Sequence, residues 1–532
     1  MGRLRFLIAL AALAALLLAA PVAAPAAVRF ATPNGATFGD CTTSSTLSPK
    51  CRIDRAVAVA KFGDSVALDG GTYTLSSTLV IGTAITMQPV ARASTPIIKL
   101  TAPAKDTVQV ASGAAGTNIS GIEMDNVNTD AVGPASAVRT LGSAHLVNVI
   151  MNAHGPSGPA NVSALLADAN TTLQSAGVSV SNSGGALDAV QSDSGVSLTL
   201  SNVSILTDEG NHLRAAIGGN GNLDASDISL TTQGDQCINV SSPSVTLRNI
   251  TAVQNASASG PVGAACVAVS GGARVVGLRV TASSEPADAD AVIFAAASRQ
   301  GGISVTDVSV RTTGVAALLS GDPSSSLTVR RATLHGASGA RVTGSRIGTG
   351  GPSVLLTDSV LTASGTGTAA ASAESGATLL LRHSDAIGST RGSAALRVAG
   401  CTGNVFTCSG GAASLDAQDV IARAGGATLV LSATCNTACS GPVASMSLNH
   451  SNFNPASVSR VGPAGASALT LGARNQDRRT TPPVLIDGVH QAASSPTVDH
   501  GAPYDRMASS DIDGNPRTVG AATDIGADEL VP

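Results

Sequence analysis

Large aromatic side chains are almost absent from this sequence of 532 residues, which has no tryptophan, two tyrosines and seven phenylalanines. Compact globular enzymes usually bury large aromatic rings in their cores. The composition therefore argues against the three or four ordinary domains that the length alone would suggest. The core must be built from Val, Ile, Leu and Ala.

Charged residues are also scarce, at 12% of the chain, and the formal net charge is −4. This balance excludes a general polybasic nucleic-acid-binding protein, so we expect no nucleic-acid partner. Apolar residues still reach 43%, which a disordered chain would not contain. The 58 glycines lack the three-residue period of collagen. After these exclusions, the composition favours a long, regular, β-rich repeat protein.

Residues 1–26 have the three parts of a secretory signal peptide. Basic residues precede an apolar run from Phe6 to Ala20, and Ala24-Pro25-Ala26 follows as a cleavage-type sequence. A membrane anchor is the alternative, but the run is shorter than the roughly 20 residues that a spanning helix needs. The sequence predicts export, to the medium or the cell surface, with no transmembrane helix in the mature chain.

The cysteine count is even, which favours disulfides in an exported protein. Metal-binding pairs of the CxxC type with further ligands nearby are missing. Sequence proximity suggests four pairs, although the connectivity stays open. These pairs are Cys41–Cys51, Cys237–Cys266, Cys401–Cys408 and Cys435–Cys439.

Between about residue 115 and residue 475 a short pattern recurs in which apolar residues alternate with others and a small polar residue follows. Examples are LTLSNVSI at 198–205, LDASDI at 223–228, VTLRNI at 245–250 and ISVTDV at 303–308. Alternation with period two predicts strands with one buried face. The polar residue suits a turn, because Asn and Asp tolerate left-handed backbone geometry.

The spacing of that polar position predicts the architecture. Successive copies are 22 to 30 residues apart, which favours a solenoid over a propeller or a sandwich. Leucine-rich repeats share the period but need a consensus that is absent. We predict an all-β, right-handed parallel β-helix whose narrow interior suits aliphatic side chains. The equivalent positions are Asn202, Asp227, Asn249, Gly277, Asp307, Arg331 and Asp358.

The predicted solenoid has a cap at each end. Residues 27–110 form an N-terminal cap and the first coils, residues 111–475 the repeats, and residues 476–532 a C-terminal cap. The helical spacing of Ile53, Ala56, Val57 and Ala60 predicts a short capping helix at the N-terminal end. Covered ends protect the unpaired strand edges of a solenoid from aggregation.

Two segments resemble known modules. The stretches CRIDRAV at 51–57, GDSVAL at 63–68 and GTYTL at 71–75 resemble the CSLREA-type module of secreted β-helix proteins. Near the C-terminus, SPTVDHG at 495–501, DIDGNPR at 511–517 and TDIGADE at 523–529 are similar to the ending of choice-of-anchor Q domain proteins. The motif residues are Asp513, Gly514, Pro516, Arg517, Asp524, Gly526 and Glu529.

The resemblance implies a β-helix of the pectin-lyase-like superfamily, which contains polysaccharide lyases and glycosidases as well as adhesins. Asp528 occupies a position where an aromatic residue is usual, and we expect looser packing there. The chain ends at Pro532 without a sorting tail, so the resemblance does not extend to covalent surface anchoring. Fold alone does not confer an activity.

Two polar loops are candidate sites. Asp208, Glu209, His212 and Arg214 could supply an acid, a base and a cation for an acidic sugar; such loops are more often simply solvated. Glu285, Asp288 and Asp290 could bind calcium through carboxylate oxygens, or form a plain turn. We predict no cofactor and no metal.

The leading functional hypothesis is an exported, non-catalytic β-helix with a structural or adhesive role, acting as a monomer on extracellular polysaccharide or cell-surface components. The absence of a nucleophile elbow, phosphate loop or zinc signature favours it. So does the scarcity of aromatic rings, on which sugar-binding clefts normally rely. A polysaccharide lyase or glycoside hydrolase is the alternative.

Overall fold

A computed structural model describes residues 26–42, 50–129, 134–155, 162–181, 188–208, 214–233, 236–255, 265–283, 290–296, 302–321, 325–344, 351–400, 411–433, 442–503, 510–517 and 519–531. Within these ranges the chain winds into stacked coils, and all pairings between the named strands are parallel. Each coil contributes to three faces. The predicted fold class, an all-β parallel solenoid, is confirmed.

Face 1 begins with the strand that opens the described chain. Its own strands are β1 (Val28–Ala36), β2 (Ser65–Leu68), β5 (Thr86–Pro89), β8 (Thr117–Ser120), β11 (Ala144–Val147), β26 (Ser353–Thr357), β33 (Ala444–Asn449) and β36 (Ser467–Leu471). The strands of face 2 alone are β3 (Gly71–Leu75), β6 (Pro96–Ala102), β9 (Glu123–Asn128), β12 (Ile150–His154), β27 (Val360–Ala363), β34 (Asn452–Phe453) and β37 (Gln476–Asp477).

Face 3 has β4 (Leu79–Ile81), β7 (Val108–Val110), β10 (Ala135–Thr140), β13 (Val162–Ala167), β15 (Val190–Ser192), β17 (Ala215–Gly219), β21 (Asp290–Ala296), β23 (Val315–Gly321), β25 (Ser338–Thr343), β28 (Ala369–Glu374), β30 (Ala394–Gly400), β32 (Leu429–Ala433) and β35 (Val458–Val461). A short 3-10 helix spans Ser112–Ala114.

Longer strands bend from face 1 into face 2: β14 (Thr171–Ser181), β16 (Ser197–Thr207), β18 (Asn222–Gln233), β22 (Ile303–Thr312), β24 (Ser326–Gly336), β29 (Thr378–Gly388) and β31 (Ala413–Ala424). Two strands cross all three faces: β19 (Gln236–Asn255) and β20 (Val267–Ala282).

The corner between faces 1 and 2 is made by one residue per coil in the left-handed region. The seven positions predicted from the spacing all have positive φ, from 50° at Arg331 to 72° at Gly277. Asn and Asp are common there because their short side chains tolerate this conformation. They also bond along the stack, as Asn249 Nδ2 donates to Asp227 Oδ1 at 3.0 Å. We call this row the corner ladder, and its prediction is confirmed.

The interior is aliphatic, as predicted. In β16, Leu198, Leu200, Val203 and Ile205 all point inward and are buried. Each such side chain contributes about 1.5–3 kcal/mol on burial. Few aromatic side chains enter the described core, and those that are buried are Tyr73, Phe294 and Phe453.

The N-terminal end is covered by helix α1 (Ile53–Val59), which contacts β1, β2 and β4. Ile53, Ala56, Val57 and Ala60 are all buried, so the predicted capping helix is confirmed. A disulfide between Cys41 and Cys51 joins the segment after β1 to the chain two residues before the helix begins.

A second disulfide, Cys237–Cys266, links two consecutive coils. Both pairings follow the sequence prediction. Disulfides are typical of extracellular proteins. The other four cysteines (Cys401, Cys408, Cys435 and Cys439) lie outside the described residues.

After β37 the chain turns back along the outside of the solenoid. Arg331 Nη1 donates to Ser510 Oγ at 2.9 Å, and the Ala502 amide donates to Asp419 Oδ1 at 2.7 Å. The contacts of this segment thus reach coils well inside the stack. The domain boundaries proposed for the sequence stay predictions.

Candidate functional site

In the first predicted site, the loop from Asp208 to Arg214, the arginine forms an ion pair with a residue outside the predicted set. Arg214 Nε donates to Asp188 Oδ1 at 3.0 Å, and its Nη2 donates to Asp188 Oδ2. Asp188 belongs to the preceding coil and is fully buried. Burial raises the pKa of Asp188, an effect that Arg214 opposes. Glu209 and His212 lie outside the described residues.

The next coil is shaped to accept this pair. A Cβ on Gly218 would lie 2.2 Å from Asp188 Cγ, so only glycine leaves room for the carboxylate. Asp208 is exposed, and its amide donates to Val180 O at 3.2 Å. Arg214 therefore neutralises Asp188. Among the described residues, no hydrogen bond joins Arg214 to Asp208.

Of the predicted calcium loop, Asp290 belongs to the described residues, whereas Glu285 and Asp288 lie outside them. Asp290 is paired with Arg341, whose Nη2 lies 3.0 Å from Asp290 Oδ1 across two coils. Burial raises the pKa of Asp290, and Arg341 opposes the shift. The Arg341 guanidinium thus pairs with this carboxylate.

The C-terminal motif contains a buried arginine. Arg517 Nε donates to Asp358 Oδ1 at 2.9 Å, and its Nη2 donates to the carbonyls of His383 and Ala527. Glu529 Oε2 accepts from the Asp524 amide at 3.0 Å. This part of the motif therefore fastens the segment to the solenoid.

The remaining motif residues shape the segment itself. Gly514 and Gly526 have φ of 92° and 120°, a region that favours glycine. Pro516 forms a bridge with Ser510. The expected loose packing at Asp528 is not seen, because Asp528 is buried and accepts from the Gln491 amide at 2.7 Å.

A cluster of charged groups in this segment is an ion-pair network. His490 Nδ1 contacts Asp487, and His490 Nε2 lies 2.9 Å from Asp513 Oδ2. The hydrogen bond with Asp487 raises the pKa of His490, and nearby carboxylates add to the shift. Because both ring nitrogens are engaged, the network is satisfied by its own members.

Sequence reasoning missed a set of polar and ionisable residues on face 2 near the N-terminus, which we call the Lys99 cluster: Lys99, Glu123, Asp125, Asn152 and His154. The strand register places Lys99, Asp125 and Asn152 side by side on three consecutive coils. Lys99 Nζ lies 2.9 Å from Asp125 Oδ2, and Asn152 Nδ2 donates to Glu123 Oε1 at 2.9 Å.

One acceptor in the Lys99 cluster is left open. Asp125 is 9% exposed, and its Oδ1 has no hydrogen-bond partner among the described residues. His154 Nε2 lies 3.5 Å from this oxygen, and His154 Nδ1 lies 2.7 Å from Ser181 Oγ. The side chains of Lys99 and His154 are both 41% exposed. A carboxylate, an ammonium and an imidazole thus meet at the surface.

The Lys99 cluster could have been found by extending the repeat period. Lys99, Asp125, Asn152 and Ser179 are 26 or 27 residues apart, within the range of the repeat. The clearest copies of the repeat pattern begin at residue 198. They therefore do not reveal the alignment of these four earlier residues.

A shallow groove lies elsewhere, on face 3 toward the C-terminal end. It has a volume of about 270 Å³ and is lined by residues that include Thr368, Ser393, Arg397 and Val430. Arg397 Nη1 donates to Gly367 O at 2.9 Å. The groove contains none of the predicted site residues.

No family profile matches the sequence, and no curated protein matches it. Among solved structures, the chain is similar to one titled "Crystal structure of pectate lyase Pel9A", at 12% identity, with 96% of this chain and 97% of that chain covered and a TM-score of 0.23. The fold class therefore rests on the strand pairing of this chain.

In the described part of the chain, no helix combines the length and apolar composition that crossing a bilayer requires.

Proposed function

We propose that this chain is an exported, non-catalytic β-helix protein that binds extracellular polysaccharide or cell-surface components on face 2, at the Lys99 cluster. The observation that carries the proposal is the convergence of Lys99, Asp125 and Asn152 from consecutive coils on one flat surface. Such a strip, about 10 Å long across three coils, presents donors and acceptors to a linear, hydroxyl-rich ligand. The signal-type N-terminus and the two disulfides support export.

The binding site is tested with purified full-length protein and three probes: polygalacturonate, alginate and a neutral glucan. A variant with Lys99→Gln, Asp125→Asn and His154→Gln is expected to bind its preferred probe about tenfold more weakly, equivalent to about 1.4 kcal/mol. Arg248→Gln is the control, since Arg248 pairs with Asp224 in a half-exposed ion pair on face 1. Equal binding by both variants, or no binding by the wild type, would overturn the site.

Polysaccharide cleavage is the second candidate, and the open Asp125 Oδ1 beside His154 favours it. A carboxylate and an imidazole in proximity can move a proton during catalysis. Incubation with the same polysaccharides, followed by assay of unsaturated sugars and new reducing ends, tests this candidate. Product that disappears in both Asp125→Asn and His154→Gln would replace the non-catalytic proposal.

Export is tested separately by fractionating cells that produce the epitope-tagged chain. We expect the tag in the medium or on the cell surface, in a protein that has lost residues 1–26. Retention of the intact chain inside the cell would contradict export without affecting the binding test.

A further inference from the structure

Toward the C-terminal end, the outer surface of face 2 is covered. Val360, Asp385 and Ile421 occupy one outward row on consecutive coils, and all three are buried. The covering chain approaches closely: a Cβ on Gly526 would lie 2.8 Å from Ile421 Cδ1 and 2.9 Å from Asp385 Oδ1. The Gly526 amide donates to Asp419 O at 2.9 Å. Residues 491–503, 510–517 and 519–531 thus form a second layer on this part of the face.

Charged groups help to hold this second layer. Arg517 is buried against Asp358 and lies 3.9 Å from Glu529 Oε2. Apolar side chains such as Ile525 and Ala527 are also buried in it. We expect docking of the second layer to depend on the ionisation of the charged groups at this contact.

Among the described residues, buried carboxyl groups outnumber the arginines that face them. Face 2 and the corner ladder contribute Asp358, Asp385 and Asp419, and the segment contributes Asp511, Asp524, Asp528 and Glu529. The arginines are Arg517, Arg423, whose Nη2 is 4.0 Å from Asp385 Oδ2, and Arg331, which is shared with Asp307. Two histidines add to them: His383 Nδ1 lies 3.5 Å from Asp419 Oδ2, and His490 lies near Asp528. Like charges in a water-poor space repel unless some of the carboxyl groups keep protons.

Asp385 is the group least able to ionise. Its Oδ2 has no hydrogen-bond partner among the described residues, while Oδ1 accepts from the Ala527 amide. Burial raises the pKa of Asp385 to about 7, although Arg423 and Arg517 oppose the shift and Asp528 adds to it.

Glu529 is a second buried carboxyl group that resists ionisation. Burial raises the pKa of Glu529 to about 7, with Asp524 adding to the shift and Arg517 opposing it. Two amides, of Asp524 and Val519, donate to its carboxylate. The Glu529 amide itself donates to Asp511 Oδ2 at 3.4 Å.

We propose that residues 491–503, 510–517 and 519–531 belong to a releasable strap that docks on face 2 while Asp385 and Glu529 carry protons and detaches when both are ionised. Release exposes the acidic groups Asp358, Asp385 and Asp419, which lie on consecutive coils. The strap therefore controls access to an acidic strip that is separate from the Lys99 cluster.

The direction of the pH dependence follows from the protons bound in each state. Between the ordinary carboxyl pKa of about 4 and about 7, the docked state keeps protons that the released state loses, so docking weakens as pH rises through this window. His383 acts oppositely, because burial lowers its pKa to about 3. Because His383 alone opposes both Asp385 and Glu529, docking of the strap still weakens as pH rises.

The test is hydrogen–deuterium exchange on the full chain between pH 5 and pH 8, with exchange times corrected for the intrinsic rate. Protection of the Gly526 and Ala527 amides is expected to fall about tenfold or more across this range. Peptides from β22 serve as the internal reference and are expected to stay unchanged. Protection of the strap that does not vary with pH would overturn the proposal.

Variants separate strap release from unfolding. Asp385→Asn with Glu529→Gln is expected to abolish the pH dependence, whereas Asp224→Asn, on a half-exposed pair of face 1, is expected to keep it. Arg517→Gln should leave the strap unprotected at every pH while β22 stays protected. If the double variant fails to fold, Glu529→Gln alone should show a shallower slope. An unchanged slope in the folded variant would contradict the proposal.

Discussion

Face 2 carries a carboxylate in the same outward row at two distant places, Glu123 and Asp385. The row passes from Glu123 through Ile150, Gly177, Ser204, Ser229, Thr251, Arg279, Ser309, Thr333 and Val360 to Asp385 and Ile421. Glu123 lies at the surface and accepts from Asn152, whereas Asp385 is fully buried under the strap.

Strand geometry alone therefore does not decide the chemistry of a position in this fold. The same outward site is a solvent-facing acceptor where the face is bare, and a buried carboxyl group whose pKa is raised where a second layer covers it. We propose ligand binding for the bare N-terminal part of face 2 and a response to pH for its covered C-terminal part.

The largest expected effect comes from the buried pair beneath the strap. Asp358→Asn leaves the Arg517 charge buried without its partner and should destabilise strap docking by about 3–5 kcal/mol. Asp227→Asn is the matched control, because Asp227 is also a corner-ladder aspartate but is exposed. Its cost should be under about 1 kcal/mol. Local exchange protection measures both, and equal costs would erase the distinction between covered and bare positions.

A second pair of variants compares isoleucines of the same row. Ile421 is 0% exposed under the strap, while Ile150 is 43% exposed. Ile421→Ala should cost about 2–5 kcal/mol through lost burial and a cavity, and Ile150→Ala less than about 1 kcal/mol. Denaturant unfolding followed by exchange at β31 and β12 checks the difference. A comparable loss at both sites would mean that the strap does not bury this row.

A third prediction contrasts the strap with the N-terminal end. Burial opposes ionisation of Asp64, but amides of Lys61 and Ala27 and the Arg29 guanidinium lower its pKa below the ordinary value. The stability of this end is therefore present above about pH 4 and lost as pH falls further. Acid should open β1 and β2 while the strap stays docked. Asp64→Asn should remove the acid dependence of β1 and β2 exchange, and its persistence would refute the assignment to Asp64.

The smallest expected effect is on stability at the Lys99 cluster. The Lys99–Asp125 pair is partly exposed, and such pairs contribute about 0–1 kcal/mol. Lys99→Gln should therefore change the free energy of unfolding by less than about 1 kcal/mol while weakening polysaccharide binding. A large loss of stability in denaturant titration would make the cluster structural instead.

The fold was predictable because its signals are local. Alternating apolar residues set the strands, and one residue per repeat, usually Asn or Asp, marked the corner ladder, where the backbone is left-handed from Asn202 to Asp358. The capping helix and two disulfides followed from spacing of the same local kind.

The Lys99 cluster was not predicted because it depends on register. Its residues lie on different coils, and variable loop lengths between repeats hide their alignment. The packing of the strap was harder still to predict, since Arg517 and Asp358 are 159 residues apart in sequence. No periodicity connects them, and the segment's packing on the side of the solenoid comes from tertiary contacts alone.

The strap also has a mechanical consequence. In a stack where each coil touches only its neighbours, a pulling force can detach coils one at a time. The strap contacts the coils of Arg331, Asp358, Asp385 and Asp419 together. Those coils share any load applied to one of them, so under tension the rod should yield first outside the strapped section and extend in steps of single coils.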